Sequence, residues 1–452
     1  MGGTLLSSEK STVNTDRVRS ARRWAMAALT VSTLLPTASL AGTVRNLCGT
    51  HILADTIVAS HVQRLNSGRQ ALPPGIVGPT GFDWSDTPLG VVRDGRQYLF
   101  FGSDGSCHAN CGAPNERDGS FTRTQGSLDA PLGDGQPFEA ILPQSAEFAD
   151  NAVVYVGGGP VTRVPAGHPG AGNLLMVYTA ARYADPRRRT GNYEFIGLAR
   201  SLDDGFTWTD LGFVITANVP FKPGASPKYD NYDGGEDNLV ADPSGTYYYI
   251  YFCDKVAKGG FDHTHATFFS VARVPMDAFL DAAFSLDPFI ALPPFQKFYR
   301  GAWDQPGLGG LSTSVLNPDS TAGDSQVVWS DYLQRFVVIF DSTAEITYAE
   351  SPDGLNWSRA TRLVQPAPAV ASVLYAVPVG LGQAANVIGR QFSIFYTYYP
   401  TPGPRGGGWE TASIRRLDVE CRGGVTASAG WRGRSAARVA PTASRPPKPV
   451  RA

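Results

Sequence analysis

Strong charge of either sign is missing from this chain: 39 Lys and Arg stand against 40 Asp and Glu in 452 residues. That balance lacks the basic footprint of a nucleic-acid binder. Long apolar runs are scarce too. Trp24–Leu35 is too short to span a bilayer easily, and no later run reaches the roughly 20 residues a membrane helix needs. Helical periodicity is nearly absent, with Met276–Ala283 as one short candidate. Cysteine is limited to five residues, Cys48, Cys107, Cys111, Cys253 and Cys421. The loop Cys107-His-Ala-Asn-Cys111 lacks further ligands for zinc and reads better as a short disulfide loop. His263 and His265 have no placed third ligand and read as loop. Gly157-Gly-Gly-Pro160 is not followed by Lys-Ser/Thr and a helix, so it is no phosphate cradle, and Ser-centred hydrolase elbows are missing. No motif calls for a cofactor.

What is present points to β-structure: 50 Gly, 34 Pro, 8 Trp, 18 Tyr and 23 Phe. Two stretches about 150 positions apart repeat one pattern, Ser201-Leu-Asp-Asp-Gly-Phe-Thr-Trp208 and Ser351-Pro-Asp-Gly-Leu-Asn-Trp357. Asp and Gly supply the local hydrogen bonds and positive φ of a tight turn, and the Trp caps the sheet beneath. Asp203, Asp204 and Asp353 are therefore structural. Five aromatic-rich strands stand out, at Gln97–Gly102, Asn173–Tyr178, Thr246–Phe252, Arg335–Phe340 and Gln391–Tyr396. A shorter strand precedes each of them, and a third follows most. If the two hairpins lie two units apart, each unit holds about 75 residues and the stretch from Thr50 to Gly424 holds about five. The expected fold is all-β, a five-bladed β-propeller with about four antiparallel strands per blade. An array of β-sandwiches is the alternative.

The two ends differ from the middle. Arg17, Arg19, Arg22 and Arg23 precede the apolar run, and Ser39-Leu40-Ala41 offers small residues before Gly42. Residues 1–41 read as an export signal, the alternative being an uncleaved anchor. The propeller is expected over 42–424. Residues 425–452 are rich in Ala, Ser, Arg and Pro, with one aromatic, Trp431, and no acid, and read as a disordered basic tail. A secreted or periplasmic protein follows, free of the membrane after cleavage and expected as a monomer. All cysteines lie beyond the cleavage point. Cys48 and Cys421 flank the expected fold and could staple its ends, leaving Cys253 free and buried in a strand. His51–Val58 could then complete the last blade.

In a propeller the first strand of each blade lines the axis, so acids at those strand starts converge on one pocket. That reasoning selects Asp83 and Asp86 in the first unit and Glu236 and Asp237 in the third. Asp104 follows the second strand of the first unit. Trp84, Tyr229, Tyr232, Asn238, Trp303 and Tyr375 accompany them. Paired carboxylates with stacking aromatics suit glycoside hydrolysis, in which one protonated carboxyl serves the leaving oxygen and another acts as base or nucleophile. Asp86, Asp104 and Glu236 are the leading catalytic candidates. Asp83, Trp84, Tyr232, Asp237, Asn238, Trp303 and Tyr375 are candidates for sugar binding. The other use of such acids is to cap turns. Arg187-Arg-Arg189 reads as a solvated loop. No metal ligand set is assigned, and a structural calcium on the axis stays open.

The repeated hairpins resemble the Asp-box turns of sialidases and the Ser-x-Asp-Gly-x-x-Trp turns of five-bladed glycosidases. Five features more narrowly resemble an uncharacterised-domain propeller family that includes bacterial endo-D-arabinanases. They are His61-Val-Gln-Arg-Leu-Asn66, Asp86-Thr-Pro-Leu-Gly90, Tyr98-Leu-Phe-Phe-Gly-Ser-Asp104, Trp303-Asp-Gln-Pro-Gly-Leu-Gly-Gly310 and the strand Trp409 to Leu417. The resemblance spans most of 50–421 and implies a secreted glycosidase with an arabinan-like substrate. The family carries two Asp, thought to be acid and base, in Thr-Asp-Leu-Gly and Phe-Gly-Asp-Thr. Here Pro88 and Ser103 occupy those places, and Asp86 and Asp104 stand one or two positions away. Two readings follow: carboxylates shifted in register, or a non-catalytic propeller that binds carbohydrate or protein.

Overall fold

In the computed structural model, the described residues are 44–60, 89–103, 119–131, 133, 138–142, 153–185, 190–218, 239–254, 268–287, 289–316, 325–342, 345–365, 371–382, 384–400 and 413–423. All belong to the compact unit Thr43–Ala452. The expected signal segment, the basic tail, Cys107, Cys111, Arg187–Arg189, His263 and His265 lie outside them.

Five antiparallel sheets follow one another along the chain. The chain opens with β1 (Thr50–Ser60). Blade 1 holds β2 (Gly90–Asp94), β3 (Gln97–Ser103), β4 (Gly119–Gly126) and β5 (Phe138–Leu142). Blade 2 holds β6 (Val153–Arg163), β7 (Leu174–Asp185), β8 (Thr190–Ser201) and β9 (Thr209–Thr216). Blade 3 holds β10 (Leu239–Ala241), β11 (Tyr247–Asp254), β12 (Phe268–Pro275), β13 (Gln296–Tyr299) and β14 (Ala302–Pro306), with α1 (Met276–Ala283) between β12 and β13. Blade 4 holds β15 (Ser325–Ser330), β16 (Arg335–Ser342), β17 (Glu345–Ser351) and β18 (Thr361–Val364). Blade 5 holds β19 (Ser372–Gly380), β21 (Gln391–Tyr399) and β22 (Ser413–Cys421), with β1 paired to β22 as its outermost strand. The two residues of β20 (Val387–Ile388) cross over to pair in parallel with β15.

The second strand of each blade is apolar on both faces because each blade is sandwiched between two others. Val337 and Ile339 pack with Val373, Ile394 and Val419 of blade 5. Their neighbours Phe336, Val338 and Phe340 pack with Val240, Tyr251 and Phe269 of blade 3. Equivalent cores join blades 1 and 2, blades 2 and 3, and blades 5 and 1. Five cores between five blades describe a closed propeller, as the aromatic strands and the unit length predict.

Closure is achieved by the N-terminal segment. β1 pairs along β22 from Thr50↔Cys421 to Ser60↔Ser413. The Cys48–Cys421 disulfide staples this seam, and Cys253 is free and buried. Glu350 on β17, fully buried, holds the residues just before β1. Its carboxylate accepts the backbone N–H of Leu47 at 2.9 Å and of Cys48 at 2.8 Å, and the Tyr348 hydroxyl at 2.5 Å. A buried carboxylate is tolerable only when saturated with donors in this way.

The repeated hairpins are the β8–β9 and β17–β18 turns. Ser201 Oγ accepts the Gly205 N–H at 2.8 Å, and Asp203 Oδ1 accepts the Thr207 N–H at 2.8 Å. In the second copy Ser351 Oγ accepts the Gly354 N–H at 2.9 Å, and Asp353 Oδ1 accepts the Asn356 N–H at 2.8 Å. Burial opposes ionisation of Asp203 and Asp353, but these hydrogen bonds outweigh it and hold both carboxyls below their ordinary range. Each Trp packs edge-on against the preceding blade, Trp208 on Phe101 at 5.8 Å and Trp357 on Tyr251 at 5.9 Å. Each Gly has positive φ, and a Cβ there would sit 2.3 Å from Phe101 or from the Tyr251 hydroxyl.

Two outcomes are expected. Gly205→Ala and Gly354→Ala should each cost about 1–3 kcal/mol in denaturant unfolding, from backbone strain and the lost approach to the neighbouring blade. Reducing Cys48–Cys421, or the paired Cys→Ser change, should cost about 2–5 kcal/mol, because the bond closes nearly the whole domain. Unchanged unfolding midpoints would contradict either account.

Candidate functional site

The first strand of each blade borders the axis. Thr162 Oγ1 on β6 donates to the carbonyl of Leu239, the first residue of β10. A Cβ on Gly90, the first residue of β2, would meet Val161 at 2.8 Å. The starts of β2 and β10 therefore flank the same two residues of β6, at one level on the axis. A small axial cavity of about 20 Å³ lies at this level. Its walls include Leu89 and Val91 of blade 1, Pro160–Thr162 of blade 2, Gln326 and Val328 of blade 4, and Val377 and Pro378 of blade 5. Ala385 and Asn386, just before β20, line it as well. The crossing is pinned where the Gly380 N–H donates to Ala385 O at 2.7 Å and the Asp331 N–H to Ile388 O at 3.0 Å.

The glycine run Gly157–Gly159 lies inside β6 and not in a loop, with a register shift between Gly158 and Val161. Close backbone packing explains it at Gly159, where a Cβ would meet the Val177 carbonyl at 2.7 Å.

Of the residues selected from sequence, Asp83, Trp84, Asp86, Asp104, Tyr229, Tyr232, Glu236, Asp237 and Asn238 lie outside the described residues. Their attachment points are described. Asp86 stands a few residues before Gly90 of β2, Glu236 a few before Leu239 of β10, and Asp104 directly follows Ser103 of β3. Since β2 pairs antiparallel with β3, Gly90 opposite Phe101, the three points of attachment share one end of the ring. Trp303 is placed elsewhere. It sits on β14, the outermost strand of blade 3, against Phe298 at 5.1 Å and under the Arg273 guanidinium at 4.3 Å. The structure does not bring it to the axis.

Tyr375 is on β19, the innermost strand of blade 5, two residues from cavity-lining Val377. It is half-buried and carries a φ of 60°, within a register shift between Leu374 and Val377.

Besides Glu350 at the closing seam, two buried carboxylates escaped the sequence reading. Asp341, at 1 % exposure near the end of β16, accepts the Ala376 N–H through Oδ2 at 2.8 Å. Asp254 ends β11 at 2 % exposure. Its Oδ2 accepts the Ser312 hydroxyl at 2.5 Å and lies 3.8 Å from the Lys297 ammonium. Lys297, wholly buried, also donates to the carbonyls of Thr216 at 2.7 Å and Gly310 at 2.9 Å, tying blade 2 to blade 3. Burial pushes the Asp254 carboxyl up, against the pull of Lys297 and Ser312, and lowers Lys297 to about 8. The available signal was the same for both acids: a lone Asp closing an apolar run, Tyr251-Phe-Cys-Asp254 and Val338-Ile-Phe-Asp341, as Asp104 does after Phe100-Phe-Gly-Ser103.

No family model matches the chain, and no curated protein matches its sequence. Solved structures with a similar chain path include the catalytic domain of a GH62 alpha-L-arabinofuranosidase from Coprinopsis cinerea, at 9% identity and TM-score 0.42, covering 75% of this chain and 91% of that one. Zg3597, a family 117 glycoside hydrolase from Zobellia galactanivorans, is similar at 15% identity and TM-score 0.43, covering 74% and 84%. The alpha-L-arabinofuranosidase PaAbf62A from Podospora anserina is similar at 7% identity and TM-score 0.40, covering 81% and 95%.

The Lys297 environment fixes a pH response. Unfolded, the ammonium keeps its ordinary pKa, while the folded form loses its proton near 8. From about pH 8 upward the unfolded chain therefore binds more protons, and stability rises with pH through this group, by at most about 1.4 kcal/mol per unit. Denaturant unfolding from pH 7 to 10 should show this slope in the wild type and lose it in Lys297→Met combined with Asp254→Asn. Identical slopes would refute the assignment.

Proposed function

We propose that the chain is an exported glycoside hydrolase acting on a polysaccharide or glycan, with an arabinan-like polymer as the first substrate to try. The observation that carries this reading is the convergence of β2 and β10 on Val161 and Thr162. The segments bearing Asp86 and Glu236 lead directly into those two strands, and Asp104 leaves the partner of β2 at the same end. Three carboxyls on separate segments that join the fold at one end of the axis would meet the requirement of the reaction: one would protonate the leaving glycosidic oxygen, and another would activate water or attack the anomeric carbon. Asp83, Trp84, Tyr232, Asp237, Asn238 and Tyr375 would then contact the sugar. The Cys48–Cys421 disulfide is of the kind kept in oxidising compartments, which supports export together with the charged and apolar N-terminal segment. Among the described residues no helix is long and apolar enough to cross a membrane.

The displaced positions at Pro88 and Ser103 favour a second reading, a propeller that binds glycan without cleaving it. Both are tested by incubating the mature domain with arabinans, xylans, fructans and sialoglycans and following new reducing ends. Hydrolysis by the wild type is expected, with losses of at least about 100-fold in Asp86→Asn and Glu236→Gln at unchanged folding. Glycan binding without reducing ends would establish the second reading, and full activity in both variants would move the site elsewhere.

A further inference from the structure

Four non-glycine residues among those described have positive φ, namely Asp204, Arg300, Gln334 and Tyr375. The first three occupy turns, where such a conformation is ordinary. Tyr375 lies inside a strand, where a bulky side chain at φ 60° is strained and persists only if its surroundings impose it. The cause of the bend is visible in the register. Leu374 faces Thr397 and Val377 faces Phe395, so Tyr375 and Ala376 together stand opposite the single Tyr396. The bulge resets the alternation of β19. Val373 and Ala376 both enter the core with blade 4, whereas Val377 and Val379 enter the core with blade 1. Tyr375 is the extra residue, displaced from both cores, half-buried, and just before the cavity-lining pair Val377 and Pro378.

What imposes the bulge comes from the neighbouring blade. The Asp341 carboxylate, buried between blades 4 and 5, takes up the Ala376 N–H that the bulge removes from the ladder. A charge-assisted bond to a buried backbone donor is strong and directional. The resulting geometry is specific: a fixed brace at Ala376 and, one residue before it, a half-buried aromatic residue on the strand that borders the axis. Glycine would adopt the same backbone without strain but would carry no ring.

We infer that Asp341 is a positioning residue for glycan binding: it holds the β19 bulge that sets the Tyr375 ring against a sugar at the axial mouth. This rests on the glycan reading of the axis proposed above. Asp341 touches no substrate in this role. Its work is to accept the Ala376 N–H, a task that asparagine can also perform through its amide oxygen.

The test has two arms. The first needs no sugar: amide exchange of the β19 segment is followed in the wild type, Asp341→Ala and Asp341→Asn. Ala376 should exchange faster in Asp341→Ala and stay protected in Asp341→Asn. Equal protection in all three overturns the brace. The second arm measures KM and kcat on whichever panel glycan the wild type cleaves, or Kd on whichever it only binds. Asp341→Ala and Tyr375→Gly should each raise KM or Kd about tenfold, a typical worth for one aromatic contact, with kcat within about threefold. The double variant should be no worse than either single change. Asp341→Asn should behave as wild type, and a collapse of kcat in that variant would make Asp341 a reacting group and overturn the inference. Tyr375→Gly leaves the brace in place, so it reports on the ring even if Asp341→Ala fails to fold, and an unchanged KM or Kd there refutes the inference. If the wild type neither binds nor cleaves any glycan, the glycan reading and the role of Tyr375 fall together, while the exchange arm still decides the brace.

Discussion

Each blade of this protein is apolar on both faces, so no blade can stand alone and the ring must close. The burden falls on blade 5, where the two ends of the chain pair. There the N-terminal strand β1 completes blade 5, and Glu350 of blade 4 grips the two residues ahead of it. Between blade 5 and blade 1 the Arg416 guanidinium reaches Asp129 at 2.6 Å, and Arg93 of blade 1 reaches the carbonyl of Leu381 at 3.2 Å. The disulfide adds a covalent limit on how far the unfolded ends can separate. Closure also removes the sheet edges that an open array would expose, apart from the rim.

The repeated Ser–Asp–Gly–Trp turns serve the same end by a different route. They do not close the ring; they register adjacent blades. A glycine that admits the ring of Phe101 or Tyr251 places a Trp where it covers the preceding blade, and the Asp and Ser bonds keep the turn rigid enough to hold it there. Arg123 adds to the first contact, stacking over Phe206 at 3.9 Å while donating to the Asp204 carbonyl at 2.7 Å. Interior packing density leaves little freedom at such contacts, which is why the turn sequence is so constrained.

Much of this architecture is legible in the sequence because its causes are local or periodic. The aromatic second strands, the two hairpins, α1, the closing β1 and the Cys48–Cys421 pair were all expected. Several of the strands that escaped are short or polar. β4 reads Gly-Ser-Phe-Thr-Arg-Thr-Gln-Gly, and β18 and β20 have only four and two residues. Their pairing is imposed by neighbours and not by their own propensity. The site divides along the same line. Tyr375 could be selected as an aromatic on a first strand, but its bulge could not, because the partner that stabilises it, Asp341, lies 35 residues before Ala376 in the preceding blade. Trp303 shows the converse. It was selected as an aromatic accompanying the axial acids, yet it belongs to a fifth strand beyond the four expected per blade.

The buried acids show why strand ends near the axis repay attention. Each blade turns from its second strand to its third at the end of the ring where the first strands begin, and there the second strand outruns the first and keeps only its ladder to the third. Asp254 and Asp341 occupy such places, each fully enclosed and each given a donor from outside its own hairpin, Ser312 in one case and Ala376 in the other. A carboxylate buried for stability alone is a poor investment, since an apolar residue of similar volume does as well. Its advantage is direction: it accepts a chosen N–H or O–H and thereby fixes a conformation that the strand would not adopt unaided. In blade 5 that conformation is a strained tyrosine beside the axis, and in blade 3 it anchors the chain beyond β14 to the interface with blade 2 through Ser312 and Lys297. The rim of the axis is thus shaped from behind, by charges that never reach the solvent.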